Sequence, residues 1–475
     1  MKNREKSFLK NTMIITIGRV CTKMISFLLL PLYTGILSTE EYGTVDLLNT
    51  LISLLLPIVT FQIEMAVFRE LLDARNNKDK KKDIISTGIF TVILQCIIFS
   101  MIFMIIHPLV HNDYKVYLFT NVIGAILSSL LLQIARGLGK NTKYAIGSFI
   151  SAITTIVLNI IFLVLLKLKV NGMLLGTLIG HIACILYLSL SLKIYQYLSI
   201  KNYKKDTLKK LCKYSLPLVP NQISWWIFNT SDRVIVSIFL GLSATGLLAA
   251  ANKFVNLYTT IYGIINLSWI ENISTHINDK DIKEYYNKMF NIILTLFSSI
   301  TLGLIACMPY LYRILINKKF IVGYKLVPIL LLASLFYVIV SLTAVLYTAN
   351  RDTKSVAKTS IIAAIINLVS HLLLLKYIGL YAAAISTLLS YSIMAINRIK
   401  NASKKYFTIS IQKRKTIAIT LMLIITTFLY YINNKYLNIV SLLLTIIFII
   451  IINKKEITTI LKLIKRKGVS LWNNF

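Results

Sequence analysis

Arg19 and Lys23 lie four residues apart in a long apolar stretch, so a helix there carries both cations on one face, with Lys23 near the middle of the stretch. A charge at that depth costs roughly 2.5 to 3.5 kcal/mol on insertion scales and is a functional residue by default. Snorkelling to the headgroups suits Arg19, but Lys23 would have to reach beyond its own length. Both are therefore read as cations lining a cavity. Lys253 enters another apolar stretch from the opposite side by about eight residues, or some 12 Å, which brings it to a similar depth. Arg69 and Lys325 stand near segment ends, where anchoring at the interface explains them.

Carboxylates accompany these cations. Glu64 lies about seven residues into its segment, close to the depth of Arg19, and a carboxylate beside a cation in low dielectric can take up and release protons as substrate displaces it. That would couple transport to an ion; a static ion pair is the plainer account. Asp232 and Arg233 are neighbours that project about 100° apart, so they reach different partners. Structurally they suit a salt bridge between helices; functionally, Arg233 joins the substrate cations and Asp232 the coupling acids. Asp46 also lies inside a segment, although nothing in the pattern requires it.

The elements that position these groups are membrane helices. With 56% apolar residues and a mean hydropathy of +0.73, the chain is far from a soluble protein despite a net charge of +34. Fourteen stretches reach the length of roughly 20 residues that a span needs. They lie near 12 to 36, 43 to 71, 84 to 107, 115 to 136, 145 to 166, 172 to 192, 214 to 240, 245 to 271, 288 to 309, 323 to 348, 359 to 375, 380 to 397, 416 to 432 and 437 to 452. Helices are required because lipid cannot satisfy a free backbone amide. Of the 52 Lys and Arg, 38 fall at the N-terminus, in every second loop and in the tail, and that asymmetry puts both termini in the cytoplasm.

Order along the chain repeats. Gly43 precedes Asn49 as Gly246 precedes Asn252, and Asn159 precedes Gly172 much as Asn367 precedes Gly379. Any one pair is ordinary helix punctuation; the shared order points to duplication. Six spans return the chain to its starting side, so the halves are expected to be two six-helix bundles related by a pseudo-two-fold axis along the membrane normal. The organisation read from the sequence is an N-terminal bundle over 1–200, a second over 201–400, and 401–475 holding two extra spans and a basic amphipathic tail on the anionic inner leaflet. Pro217 and Pro220, beside Trp225 and Trp226, offer a hinge near the inner end of the seventh segment.

Other chemistries are weak. The run Lys78, Lys80, Lys81 and Lys82 sits in a short loop without interleaved aromatics, which argues against nucleic acid. The five cysteines form no pair at short spacing, and Pro108 interrupts any helix joining His107, His111 and Asp113. No metal or cofactor is implied.

The run Asp232, Arg233, Leu240, Gly241 and Gly246 through Asn252 and Lys253 resembles polysaccharide exporters of the multidrug/oligosaccharidyl-lipid/polysaccharide superfamily. So do Leu37 with Glu41, Tyr42 and Gly43, and the stretch from Asn367 through Tyr377, Gly379 and Ala382 to Thr387. The resemblance covers essentially the whole chain, and the nearest branch is the Wzx-type O-antigen or capsule repeat-unit flippases. It implies a V-shaped, monomeric protein of the bacterial inner membrane that moves an undecaprenyl-diphosphate-linked oligosaccharide to the outer leaflet, with a polysaccharide polymerase as a partner. Fixed cations such as Arg19, Lys23 and Lys253 would receive the pyrophosphate. Two other readings stay open. A cation-coupled drug exporter of the same fold would favour acidic cavity groups. A membrane polymerase or glycosyltransferase would need catalytic carboxylates or a large outer loop. Here the outer loops run to about a dozen residues and hold only Glu40, Glu41 and Asp113 as acids, so the chain is not read as an enzyme.

Overall fold

A run of apolar residues in lipid must close its own hydrogen bonds, and every regular element in the computed structural model of this chain is a helix among the described residues. Those residues are 24, 27–74, 77–109, 112–350, 352–454 and 458. Helix α1 (Leu30–Ile36) meets α2 (Thr39–Thr60) at a capping box, where Ser38 Oγ accepts from the Glu41 amide and Glu41 accepts from the Ser38 amide. α2 contains Pro57, which removes one helical hydrogen bond, and it stops at Phe61 and Gln62, both left-handed at φ 47° and 58°. Helix α3 (Ile63–Asp73) follows, so the segment expected to run from 43 to 71 is two helices. The break is held by local bonds to Thr60: its hydroxyl accepts from the Gln62 amide at 3.1 Å, and its carbonyl accepts from the Gln95 side chain at 3.1 Å.

Next come α4 (Lys78–Ile106), α5 (Lys115–Gly137), α6 (Asn141–Ile160), a π turn at Ile161–Leu165, and α7 (Lys169–Leu192). The short α8 (Lys205–Ser215) is amphipathic, burying Leu211 while Lys205, Lys209, Lys210 and Lys213 stay exposed. α9 (Leu218–His276) is 59 residues long and breaks at Gly241, whose φ of 87° and ψ of 172° suit a residue without Cβ. Its arms, 218–240 and 242–276, correspond to the seventh and eighth expected segments. Pro217 precedes α9 and Pro220 lies in its first turn, where a missing N–H costs little. The remainder is α10 (Ile282–Leu315), α11 (Val327–Ala349), α12 (Thr353–Ile378), α13 (Tyr381–Lys405), α14 (Lys413–Ile432) and α15 (Lys435–Ile452).

Among the described residues, 12 helices are long and apolar enough to cross a membrane, one of them the 72-residue stretch Lys205–His276 that contains α8 and both arms of α9. The first expected segment is described only at Met24 and from Phe27 onward, and the tail beyond Ile452 only at Asn453, Lys454 and Thr458. Ile105 and Leu190 are each 72% exposed and Leu373 is 65% exposed, as lipid-facing side chains should be.

By contact the chain divides into Met1–Ala250 and Ala251–Phe475. The division read from the sequence, at 200 and 400, is one of repeated order along the chain. In the first unit Val67, Leu71, Ile85, Val122, Ile134 and Leu188 form the core between α3, α4, α5 and α7. In the second, Tyr258 and Tyr262 stand edge-on to Phe297, and Tyr262 also meets Tyr337. There the extended linker 408–412 is fastened to α10 by two asparagines one turn apart. Asn287 Nδ2 donates to the Thr408 carbonyl (3.1 Å) and its Oδ1 accepts from the Ser410 amide (2.7 Å); Asn291 Nδ2 donates to the Ser410 carbonyl (2.8 Å) and its Oδ1 accepts from the Gln412 amide (2.9 Å). Each side-chain amide thus replaces a strand neighbour for the linker backbone.

The repeated glycines meet. Thr39 and Gly43 match Leu242 and Gly246 at an offset of 203. A Cβ on Gly43 would strike the Leu242 carbonyl, and one on Gly246 would strike the Thr39 carbonyl. Thr39 Oγ1 and Ser243 Oγ are 2.7 Å apart at the same crossing. The two close approaches are reciprocal, each glycine facing a backbone carbonyl of the other helix.

Candidate functional site

Packing of α2 against the first arm of α9 brings charges together in the first unit. Arg233 Nε donates to Asp46 Oδ2 at 2.8 Å, and its Nη1 lies 3.4 Å from Asp232 Oδ1. Asp232 is also held locally, accepting from the Arg233 amide at 2.9 Å. The side chains of Arg233, Asp232 and Asp46 are 12%, 14% and 22% exposed, so the cluster is mostly withdrawn from solvent while keeping an open edge. Seven residues along each helix, Trp226 Nε1 donates to the Thr50 carbonyl (3.1 Å) and to Ser53 Oγ (3.0 Å). Because 233 to 226 and 46 to 53 span the same two turns in opposite directions, the helices are antiparallel and joined at two levels about 10 Å apart. Tyr42, one turn before Asp46 on the same face, is buried at 3%.

Two carboxylates around one guanidinium leave the cluster with a negative excess, so Arg233 is already balanced, unlike a cation waiting for an anion. An incoming anion would have to compete with Asp46 and Asp232 for it. Sequence reasoning singled out Arg233 and Asp232 and passed over Asp46, their partner. The signal was available: an acid inside a span carries the same default as a cation there.

Glu64 opens α3 just past the break in the backbone, buried at 3%, and its Oε1 accepts from Gln62 Nε2 at 3.2 Å while Oε2 has no hydrogen-bond partner among the described residues. No cation lies within ion-pair distance of it among the described residues. Glu64→Gln keeps the shape and removes the titrating oxygen; the pH dependence of transport is expected to flatten or shift, and a profile that overlays the parent's removes Glu64 from coupling. Arg19 and Lys23 lie outside the described residues. Lys253 lies in the second unit, half-buried and without an ion pair among the described residues. Arg398, one residue past the segment expected to end at 397 and so expected in an inner loop, is instead in the body of α13 at 2% exposure.

The second unit also contains an apolar groove of about 520 Å³ bounded by α10, α11 and α14, with Leu294, Leu335, Phe336, Leu423 and Phe428 on its walls. Lys415 and Tyr431 mark its two ends along α14.

A family model described as polysaccharide biosynthesis protein matches residues 8–270. No curated protein sequence matches the chain. Among solved structures, the lipid II flippase MurJ in an inward closed conformation is similar at a TM-score of 0.73 and 17% identity, covering 95% of this chain and 100% of that one. An inward-facing multidrug resistance MATE family transporter of the MOP superfamily is similar at 0.65 and 12% identity over 82% of this chain and 98% of that one. An outward-facing structure of such a transporter gives 0.56 and 12% over 84% and 95%. At these identities the likeness is one of fold.

Proposed function

The chain belongs to the polysaccharide biosynthesis protein family and has the fold of the MOP superfamily, and from that premise we propose that it is a Wzx-type flippase, carrying an undecaprenyl-diphosphate-linked oligosaccharide from the cytoplasmic to the outer leaflet. It is a multi-pass inner-membrane protein, and the proteins it resembles in fold are flippases and transporters, not enzymes. The observation that carries the reading is the match in fold along 95% of the chain to a lipid flippase, in a family concerned with polysaccharide. In this reading fourteen spans form two bundles with both termini in the cytoplasm, and alternating access exposes a cationic cavity to each side in turn. Arg19, Lys23 and Lys253 receive the pyrophosphate, and Arg233 joins them only when it is released by Asp46 or Asp232. Asp232 and Glu64 serve as the coupling acids. The apolar groove on α14 suits a prenyl tail, which needs a dry surface to lie on.

Replacing Arg19 and Lys23 together with alanine should abolish export while the protein still inserts; unchanged surface glycan would remove both from the site. The reading as a whole is tested in cells lacking the protein, by extracting lipid-linked oligosaccharide and locating it with a membrane-impermeant glycan label. Complete repeat units trapped on the cytoplasmic side support a flippase. Outward units that fail to lengthen indicate a polymerase. The likeness to multidrug transporters supports a second reading, a cation-coupled drug exporter, and unchanged glycan with altered drug tolerance would favour it.

A further inference from the structure

The pair α12 and α13, antiparallel through the turn at Gly379, lines a cavity of about 430 Å³ within the second unit. Its lining is graded. Lys358 near the start of α12 and Lys404 and Lys405 at the end of α13 lie at one end, on the side that the lysine asymmetry assigns to the cytoplasm. Ile362 and Ile366, one and two turns further along α12, and Met394 and Ile393, about three turns back along α13, form the other end. Between them Asn397 and Asn401 supply amide groups. The cavity is therefore amphipathic, with cations at its mouth and hydrocarbon at its floor.

Behind the wall stands Arg398, 2% exposed. Its Nε donates to Thr359 Oγ1 (3.0 Å), Nη1 to the Val340 carbonyl (3.1 Å), and Nη2 to the Val356 carbonyl (3.3 Å) and Ser360 Oγ (3.1 Å). Every one of these acceptors is neutral, and among the described residues no carboxylate lies within ion-pair distance. A guanidinium solvated only by dipoles keeps its positive potential, which falls on the cavity that Thr359 also lines. The nearby acid is committed elsewhere. Asp352 Oδ2 is 2.5 Å from Lys405 Nζ and accepts from the Tyr406 hydroxyl at 3.0 Å. Those bonds hold its carboxyl well below the usual carboxylate range, so it stays ionised and paired with Lys405. Lys358 and Lys404 have no carboxylate partner among the described residues.

We propose that this cavity binds the phosphate headgroup of an anionic phospholipid of the cytoplasmic leaflet, with Lys358 and Lys404 on the phosphate and the acyl chains leaving along Ile362, Ile366 and Ile393. This site goes beyond the transported substrate and does not depend on its identity. The graded lining is what selects a lipid over a free ion, since inorganic phosphate has no use for the apolar floor.

The test uses the full chain, purified, with fluorescent phosphatidylglycerol titrated in and phosphatidylcholine or inorganic phosphate as competitor. Each lysine near a membrane surface is worth about fivefold in binding to anionic lipid, so the double variant K358Q/K404Q should bind phosphatidylglycerol roughly 25-fold more weakly. The charge-preserving K358R/K404R should retain binding, which separates a lost phosphate contact from a disturbed fold. Equal affinity in the glutamine variant and the parent overturns the proposal. So does competition by phosphatidylcholine as strong as by phosphatidylglycerol, or by inorganic phosphate at the same concentration, the latter assigning the site to a free ion.

Discussion

An Asp46→Ala chain should be less stable than the parent by roughly 3 kcal/mol, the lower end of what removing one partner of a buried ion pair costs, and should export at least tenfold less glycan. Arg233 makes its shortest bond to Asp46, at 2.8 Å, while Asp232 is 3.4 Å away and already engaged by the Arg233 amide. Asp46 is thus the link between helices, and Asp232→Ala should cost clearly less. The double variant Asp46→Ala with Arg233→Ala removes both members of the closest pair and leaves Asp232 held only by the amide of residue 233, so its loss of stability should fall short of the sum of the two single losses by about 1 kcal/mol or more. Thermal unfolding of the purified chains reads this directly. Additive losses within about 0.5 kcal/mol would mean that the pair is not coupled. If the double variant regains stability yet fails to export, the charges serve the transport cycle as well as the packing.

Replacing Thr39 and Ser243 by cysteine, in a chain whose own cysteines are changed to serine, should give a disulfide that forms readily and stops transport until it is reduced. The hydroxyl oxygens are 2.7 Å apart, and the glycines beside them allow the backbones an approach that no Cβ would permit. In the proposed flippase cycle, α2 and the second arm of α9 would separate at this crossing as the two sides open in turn. A shift on reducing gels reports the bond, and surface glycan after mild oxidation reports the cycle. Full export with the crosslink complete would show that the crossing never opens. Gly43→Leu is the complementary change: the side chain has nowhere to go, so the crossing should be forced apart, and the folded yield should fall.

Much of this fold was legible because lipid leaves the chain few choices. The helical class, the positions of most described segments, the break at Gly241 and the matched glycines could be read from apolar runs and from the residue type that tolerates positive φ. The break after Thr60 was not legible, since Phe61 and Gln62 carry no glycine signal, and the stop reflects Pro57 upstream together with bonds from Gln95 on another helix. Nor was the partner of Arg233. A carboxylate 187 residues earlier becomes its neighbour only through the crossing of α2 and α9, which no local period encodes. Arg398 was misplaced for a related reason: near the end of an apolar run a cation looks like the first residue of a loop, and only the neutral acceptors on α11 and α12 reveal that it is enclosed.

The asparagine clasp on α10 also bears on how the chain is made. Asn287 and Asn291 leave the ribosome more than 110 residues before the linker they hold, so they must wait while α11, α12 and α13 are synthesised and inserted. Until residues 408–412 arrive, the clasp is open and α14 and α15 have no fixed seat on α10. The last two helices therefore dock on α10 only after the helices before them have been made, and the clasp is among the last contacts of the second unit to close.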